Sequence, residues 1–218
     1  MFPIGDDNSE RRSVPYVTFV LIAINVLIFI FELQRGDQFI TEWAFIPARF
    51  SESPSADAVT LLSAMFMHGG WMHLGGNMLY LWIFGDNVED RFGHVTYLVF
   101  YLIAGLGATG AQYLVNTQSI IPNVGASGAI AGVLGAYLLM FPHAKVRVLV
   151  GQSVVAMPAL IVLGLWIALQ AFSGAGSIMD TSRGDTGGIA YMAHVGGFVA
   201  GFLMAILLGG RARSGPRV

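Results

Sequence analysis

Cysteine is absent from the 218 residues, which removes disulfides, thiol nucleophiles and cysteine-ligated metals from consideration. Charge is nearly as scarce. Asp, Glu, Lys and Arg make up 11% of the chain, where a water-soluble domain carries about 25%, so most of this polypeptide is not built to face water. What charge remains is balanced, with a formal net charge of −2 and a pI near 6.2, and that leaves no electrostatic footprint for nucleic acid or another polyanion. No HExxH occurs, and His68 and His73 are five apart, the wrong spacing for two ligands on one helical face. The Gly-Asp pairs at Asp37, Asp86 and Asp185 fall at the ends of apolar runs or in loops, so no buried carboxylate pair is available for aspartyl chemistry.

What is present is apolar surface and glycine. Hydrophobic residues make up 55% of the chain, the mean hydropathy is +0.67, and there are 28 glycines, nearly twice the usual ~7% share. In membranes glycine lets helix backbones approach closely. Crossing the hydrocarbon core takes about 20 mostly apolar residues, and six stretches qualify: Val14 to Leu33, Trp71 to Val88, Val95 to Val115, Gly125 to Phe141, Val148 to Phe172 with a kink at Pro158, and Ile189 to Leu208. The expected fold is an all-α polytopic membrane protein. Its six-span domain covers 14–208, between a short N-terminal tail at 1–13 and a basic C-terminal tail at 209–218. The first apolar run is too long for a cleaved signal. The loop from Gln34 to Leu61 clusters Trp43, Phe45, Ile46 and Phe50 beside a few charges, as a segment lying in the membrane interface would. The stretch 173–188 is Gly-, Ser- and Asp-rich and reads as a loop.

Six crossings put both termini on one side. Arg11, Arg12, Arg91, Lys145, Arg147, Arg211, Arg213 and Arg217 lie on that side, against Arg35, Arg49 and Arg183 on the other. The positive-inside rule then places both termini in the cytoplasm, and we expect a bacterial inner membrane. This orientation carries Ser127, His194, His73 and Asn77 to one depth, in the outer part of the bilayer.

A lone serine in a membrane helix is usually a packing residue or bonds back to its own helix. Ser127 differs in its surroundings. Gly125 and Gly128 clear the approach to its hydroxyl, and its place at a helix start supplies free backbone N–H groups and the positive end of the dipole, which suit an oxyanion. Serine needs an adjacent base to act as a nucleophile. A histidine inside a span is expensive and calls for a polar partner, which makes His194 the candidate base. Gly197 and Gly201 form a small-residue seam beside it, and Gly128 and Gly132 form another on the fourth span, so the two helices can approach closely. With no acid in either span the expectation is a Ser127–His194 dyad, and Asp180 and Asp185 are poor candidates for a third member. His73 and Asn77, four apart on one helix face, serve either as interhelical hydrogen bonds or as side-chain donors to a negative oxygen, with room left by Gly75 and Gly76.

The segments HGGWMHLGGN at 68–77, GDNVEDRFG at 85–93, GASG at 125–128 and AHVGGFVAG at 193–201, in that order and on matching spans, resemble the rhomboid family of intramembrane serine proteases. The resemblance implies a six-transmembrane-helix, rhomboid-like bundle that cleaves transmembrane proteins within or just outside their membrane segment, without cofactor or metal. Ser127 would be the nucleophile, His194 the general base and acid, and Asn77 and His73 the oxyanion hole together with backbone N–H. Cleavage after small residues is implied, with the fifth span and the loop after it acting as gate and cap. Glu89 and Arg91 match the family's structural cluster at the inner end of span two. One departure is Ala131, where relatives often carry an aromatic that stacks on the histidine; neither Tyr137 nor Tyr191 can be assigned that role from sequence. The alternatives are a rhomboid-like binder of transmembrane segments without proteolysis, and a small transporter using the histidines as a polar path. No inverted repeat supports the transporter.

Overall fold

Within lipid a backbone can satisfy its polar groups only inside a helix or a closed barrel, and the long apolar runs resolve accordingly into helices. The computed structural model describes residues 2–179 and 190–209. A strand β1 (Phe2–Gly5) precedes α1 (Tyr16–Arg35). Four short helices follow, α2 (Asp37–Trp43), α3 (Pro47–Glu52), α4 (Pro54–Asp57) and α5 (Thr60–Ser63), with a 3-10 turn at Ala64–Phe66. Next come α6 (Trp71–Phe92), α7 (His94–Val115), α8 (Ser127–Met140), strands β2 (Lys145–Val150) and β3 (Ser153–Pro158), α9 (Ala159–Met179) and α10 (Tyr191–Leu207). Three helices are long and apolar enough to cross a membrane: α1, α7 and the Ala159–Gly176 part of α9; α8 and α10 are shorter apolar helices.

The expectation of an all-α chain needs correction. β1, β2 and β3 form a three-stranded sheet in that order, antiparallel throughout, with Phe2 opposite Leu149 and Val150 opposite Ser153. The expected fifth span therefore starts too early: residues 148–158 are strand, and α9 begins at Ala159. Hydropathy misses this because residues 148–158 are apolar on both sides of the Gly151–Gln152 turn, and hydropathy alone does not distinguish strand from helix. Along β2, Val146 and Val148 are buried while Lys145, Arg147 and Leu149 face out, the alternation of a half-buried strand. Gly151 takes a positive φ of 61° in the two-residue hairpin loop, where other residues are strained. Pro158 pairs opposite Lys145 at the strand end and is not a kink inside a helix. The N-terminal tail is likewise no free tail, since β1 is a strand of this sheet. At the other end of α9, residues 173–179 continue the helix; the remainder of the expected cap, with Asp180 and Asp185, and the C-terminal 210–218 lie outside the described residues.

α8 sits in the middle. Every residue from Gly128 to Tyr137 is buried, and α6, α7, α9 and α10 all pack on it; a helix apolar on all sides belongs inside a bundle. Its tightest neighbour is α10. A Cβ at Gly197 would collide with the carbonyl oxygen of Gly128, and one at Gly201 with that of Gly132. Ala104 and Ala108 of α7 close against the same two α8 glycines. The helices meet backbone to backbone because glycine and alanine keep side chains out of the crossing.

The end of the bundle that holds the N-terminus, called here the inner end and its opposite the outer end, is locked by carboxylates of α6. Glu89, fully buried, accepts the backbone N–H of Val17 at 2.8 Å and of Thr18 at 2.7 Å, and the Thr18 hydroxyl at 2.7 Å. It thereby caps the start of α1, where backbone donors have no partner within the helix. His94 Nδ1 closes on the same carboxylate at 2.6 Å, and Arg11 pairs with Asp86 at 2.7 Å. Asp6 reaches across to accept Tyr137 Oη and Asn87 Nδ2, each at 2.7 Å, which fastens the end of β1 to α6 and α8. At the outer end, α2 to α4 fold onto the bundle instead of trailing along it. Phe45 is buried and bridges Asn123, and Arg49 pairs with Asp57 at 2.7 Å.

Two predictions follow from this packing. Gly201→Ala forces α10 off α8 and lowers stability by about 1–3 kcal/mol, whereas Gly164→Ala, where a Cβ meets nothing within 4 Å, raises it by up to about 1 kcal/mol; thermal unfolding of the purified variants separates the two. Burial pushes the Asp6 carboxyl up from 3.8 to about 7, so the folded chain holds a proton that the unfolded chain has released. Stability is full below the unfolded value and declines as pH rises through about 7. Asp6→Asn, which keeps an acceptor for Tyr137 and Asn87, should flatten that part of a Tm-against-pH curve.

Candidate active site

Ser127 opens α8 at the outer end, so the backbone N–H groups of its first turn have no acceptor within the helix. Gly125, two residues earlier, holds a φ of 133°, and a Cβ there would stand 2.9 Å from the His73 ring and 3.6 Å from Ser127 Oγ. Glycine is thus required both by the backbone and by the ring above it. His194 lies in the first turns of α10, whose start is steadied by Gln112 of α7, with Oε1 accepting the Ala193 N–H at 3.2 Å. The seam between α8 and α10 brings the two side chains together. Ser127 Oγ lies 2.8 Å from His194 Nε2, and the hydroxyl donates to the ring nitrogen.

His194 Nδ1 is held as well. Gln170 Oε1, from α9, accepts from it at 2.8 Å. An amide oxygen cannot donate, so the ring proton sits on Nδ1 and the lone pair on Nε2 faces Ser127. The indole of Trp166 lies against the imidazole with centroids 5.8 Å apart and planes at 35°.

Across the site, His73 Nδ1 accepts the Gly69 N–H at 3.4 Å, which leaves the other nitrogen, Nε2, as the N–H on the side of Gly125 and Ser127. Asn77 is buried and donates to His68 Nε2 at 2.9 Å; the second hydrogen of its amide is left for another acceptor. His68 sits in the loop ahead of α6, where burial, with His73 beside it, pushes it down to about 4. It is therefore neutral and able to accept. Its backbone N–H is held in turn by both oxygens of Glu32 at 3.1 Å, a buried carboxylate from the last turns of α1. Beside Ser127 a cavity of about 50 Å³ is lined by Thr109, Gln112, Asn123 and Gly125 among others, room for a water with polar partners.

Of Ser127, His194, His73 and Asn77, expected at one depth, Ser127 and His194 are bonded to each other, the His73 ring stands over Gly125 beside Ser127, and Asn77 is bonded to His68, whose ring lies 5.1 Å from that of His73. Of the four glycines, Gly125 lies under the His73 ring while Gly128, Gly197 and Gly201 form the seam. Gln170, Trp166, Glu32 and Gln112 also belong to the site, and none is marked by the motifs. A signal existed for the first two, since Gln170 is the lone polar side chain of the run ALIVLGLWIALQAF and Trp166 precedes it by four, and a polar group inside a membrane helix needs a partner.

A serine held to an imidazole within a small-residue bundle, three of whose helices are long and apolar enough to cross a membrane, defines a membrane protein with a polar pair inside it. The Rhomboid domain family matches residues 55–211, most of the sequence, and the chain belongs to the rhomboid family. It is 30% identical over 195 residues, 86% of its length, to Rhomboid protein 1, mitochondrial, of Saccharomyces cerevisiae, of which it covers 51%. It is 30% identical over 203 residues, 91% of its length, to Rhomboid protease GluP of Bacillus subtilis, of which it covers 36%, and 27% identical over 93% of its length to Rhomboid-like protein 11, chloroplastic, of Arabidopsis thaliana, covering 69%. The chain thus spans about half or less of the first two relatives. Mitochondrial, chloroplastic and bacterial proteins are all among them, so they do not support the expected bacterial inner membrane over another.

Proposed function

We propose that this chain is an intramembrane serine endopeptidase that cuts transmembrane-anchored proteins within or near their membrane segment. The observation that carries the reading is the 2.8 Å approach of Ser127 Oγ to an Nε2 whose ring is already fixed through Nδ1. Ser127 Oγ adds to the carbonyl carbon of the substrate peptide as His194 Nε2 takes its proton. The carbonyl oxygen becomes an anion, received by the free N–H groups at the start of α8, by His73 Nε2–H and by the remaining Asn77 hydrogen. The C–N bond then breaks, His194 returns the proton to the departing amine, and an acyl-serine ester remains. A water, activated by His194 in the same way, hydrolyses the ester and frees Ser127. No step calls for a metal or cofactor.

The reading includes a six-span bundle over 14–208 with both termini cytoplasmic. α8 has 14 residues, about 21 Å of helix, against a hydrocarbon core of about 30 Å. Being enclosed, it need not match the bilayer, and its shortness sets Ser127 below the outer surface. The substrate class is a helix in the same bilayer, able to reach the site from the side. GluP, named a protease, supports this reading by kinship.

Ser127→Ala should abolish cleavage of a model transmembrane substrate in proteoliposomes. Equal cleavage by both forms removes the proteolytic reading, and substrate binding with no cleavage by either assigns the chain to non-proteolytic binding of transmembrane segments. Asn77→Ala should lower kcat about 10²-fold, the share of a single oxyanion donor, with Tm little changed; a variant that unfolds instead makes Asn77 a structural residue.

A further inference from the structure

α9 contributes neither member of the Ser127–His194 pair, yet two of its side chains end on the imidazole. Gln170 Oε1 accepts from Nδ1 at 2.8 Å, and the Trp166 indole lies beside the ring at 5.8 Å between centroids. Four residues apart, they share one face of α9. That face is turned toward α10, while Leu160, Ile161, Leu165, Leu169 and Phe172 are exposed to the surroundings. Trp166 also lies 6.5 Å from the Phe198 ring, one turn further along α10, so the indole is seated against α10 on both sides of the contact.

An imidazole can turn about its Cβ–Cγ bond and carry its proton on either nitrogen, and only one combination presents a lone pair to Ser127. An acceptor at Nδ1 selects that combination. In soluble serine proteases the acceptor is a buried carboxylate, but a charge inside the bilayer is expensive. A neutral amide supplies the acceptor without that desolvation, and the face of an indole attracts the imidazolium formed when the serine proton moves. Ala131, one turn after Ser127, is buried and carries no ring, so the support for His194 comes from a different helix.

We infer that Gln170 and Trp166 are positioning residues for His194: the amide oxygen fixes tautomer and rotation, and the indole holds the plane of the ring and the charge it acquires. The inference rests on the proteolytic reading of the site. The test uses the full chain in proteoliposomes with a transmembrane reporter substrate. Gln170→Leu should lower kcat about 10²-fold, the loss expected from a misplaced group at the reacting centre, with KM near that of wild type. Gln170→Glu keeps an acceptor and adds a charge that favours the imidazolium, so the acid limb of its kcat/KM profile should move to higher pH. Trp166→Phe should keep more kcat than Trp166→Ala. A residue that merely packed α9 would leave the pH profile in place. An unmoved limb in Gln170→Glu, or wild-type kcat in Gln170→Leu, overturns the inference; if Gln170→Leu does not fold, the profile of Gln170→Glu decides alone. Ser127→Ala is run beside them. Cleavage that survives Ser127→Ala removes the protease itself, whereas cleavage lost in Ser127→Ala and indifferent to Gln170 removes only the positioning role.

Discussion

The contact on which the rest depends is the backbone-to-backbone crossing of α8 and α10. Where Gly128 meets Gly197 and Gly132 meets Gly201, no side chain stands between the helices. A hydrogen bond of 2.8 Å between a serine at the head of one helix and a histidine in the first turns of the other tolerates little error, because serine has a short side chain and cannot reach. In lipid no hydrophobic force presses helices together. Closeness must come from shape, and glycine is what gives these two helices a shape that fits.

The two ends of the bundle solve different problems. At the inner end the buried carboxylate is paired on every side: Glu89 is fully buried yet takes three donors from the start of α1 and a fourth contact from His94. Buried charge without partners would be destabilising by several kcal/mol, so this end is a fastening, and β1 with Asp6 adds to it. At the outer end polar groups are left with capacity to spare. The first N–H groups of α8 and the His73 ring lie about the side of Ser127 that Gly125 keeps open, and in the proposed reaction they and the second hydrogen of Asn77 are the donors available there. Donors left over in a confined space are what an oxyanion requires, and the rigid inner end keeps them aligned.

α9 stands between these two ends and is the most exposed partner of the site. It is tied below to the sheet through β3 and meets α10 above through Trp166 and Gln170. The support of His194 thus belongs to a peripheral helix, joined to the core chiefly at its inner part, where Ala159, Val162 and Leu163 are buried.

Much of this was legible in the residues themselves. Among the described residues the apolar runs marked α1, α6, α7, α8 and α10 to within a few residues, because hydropathy over a helical length is a local property. The glycine spacings marked the seam, since four residues are one helical turn, and membership in the rhomboid family was carried by four short motifs in order. The limits were also physical. Residues 148–158 are as apolar as a span, and an averaged hydropathy cannot see a hairpin that turns at Gly151 or a sheet that a distant N-terminal strand completes. The residues alone were enough to mark where helices begin and end and which of them carry polar groups near one end, because helix length and spacing are set along the chain. Which of them meet was set by packing: Glu32 holds the loop of His68, and α9, not the helix bearing Ala131, turns a glutamine and an indole onto His194. Those choices depend on how helices rotate about their axes once packed, and no stretch of chain encodes that alone.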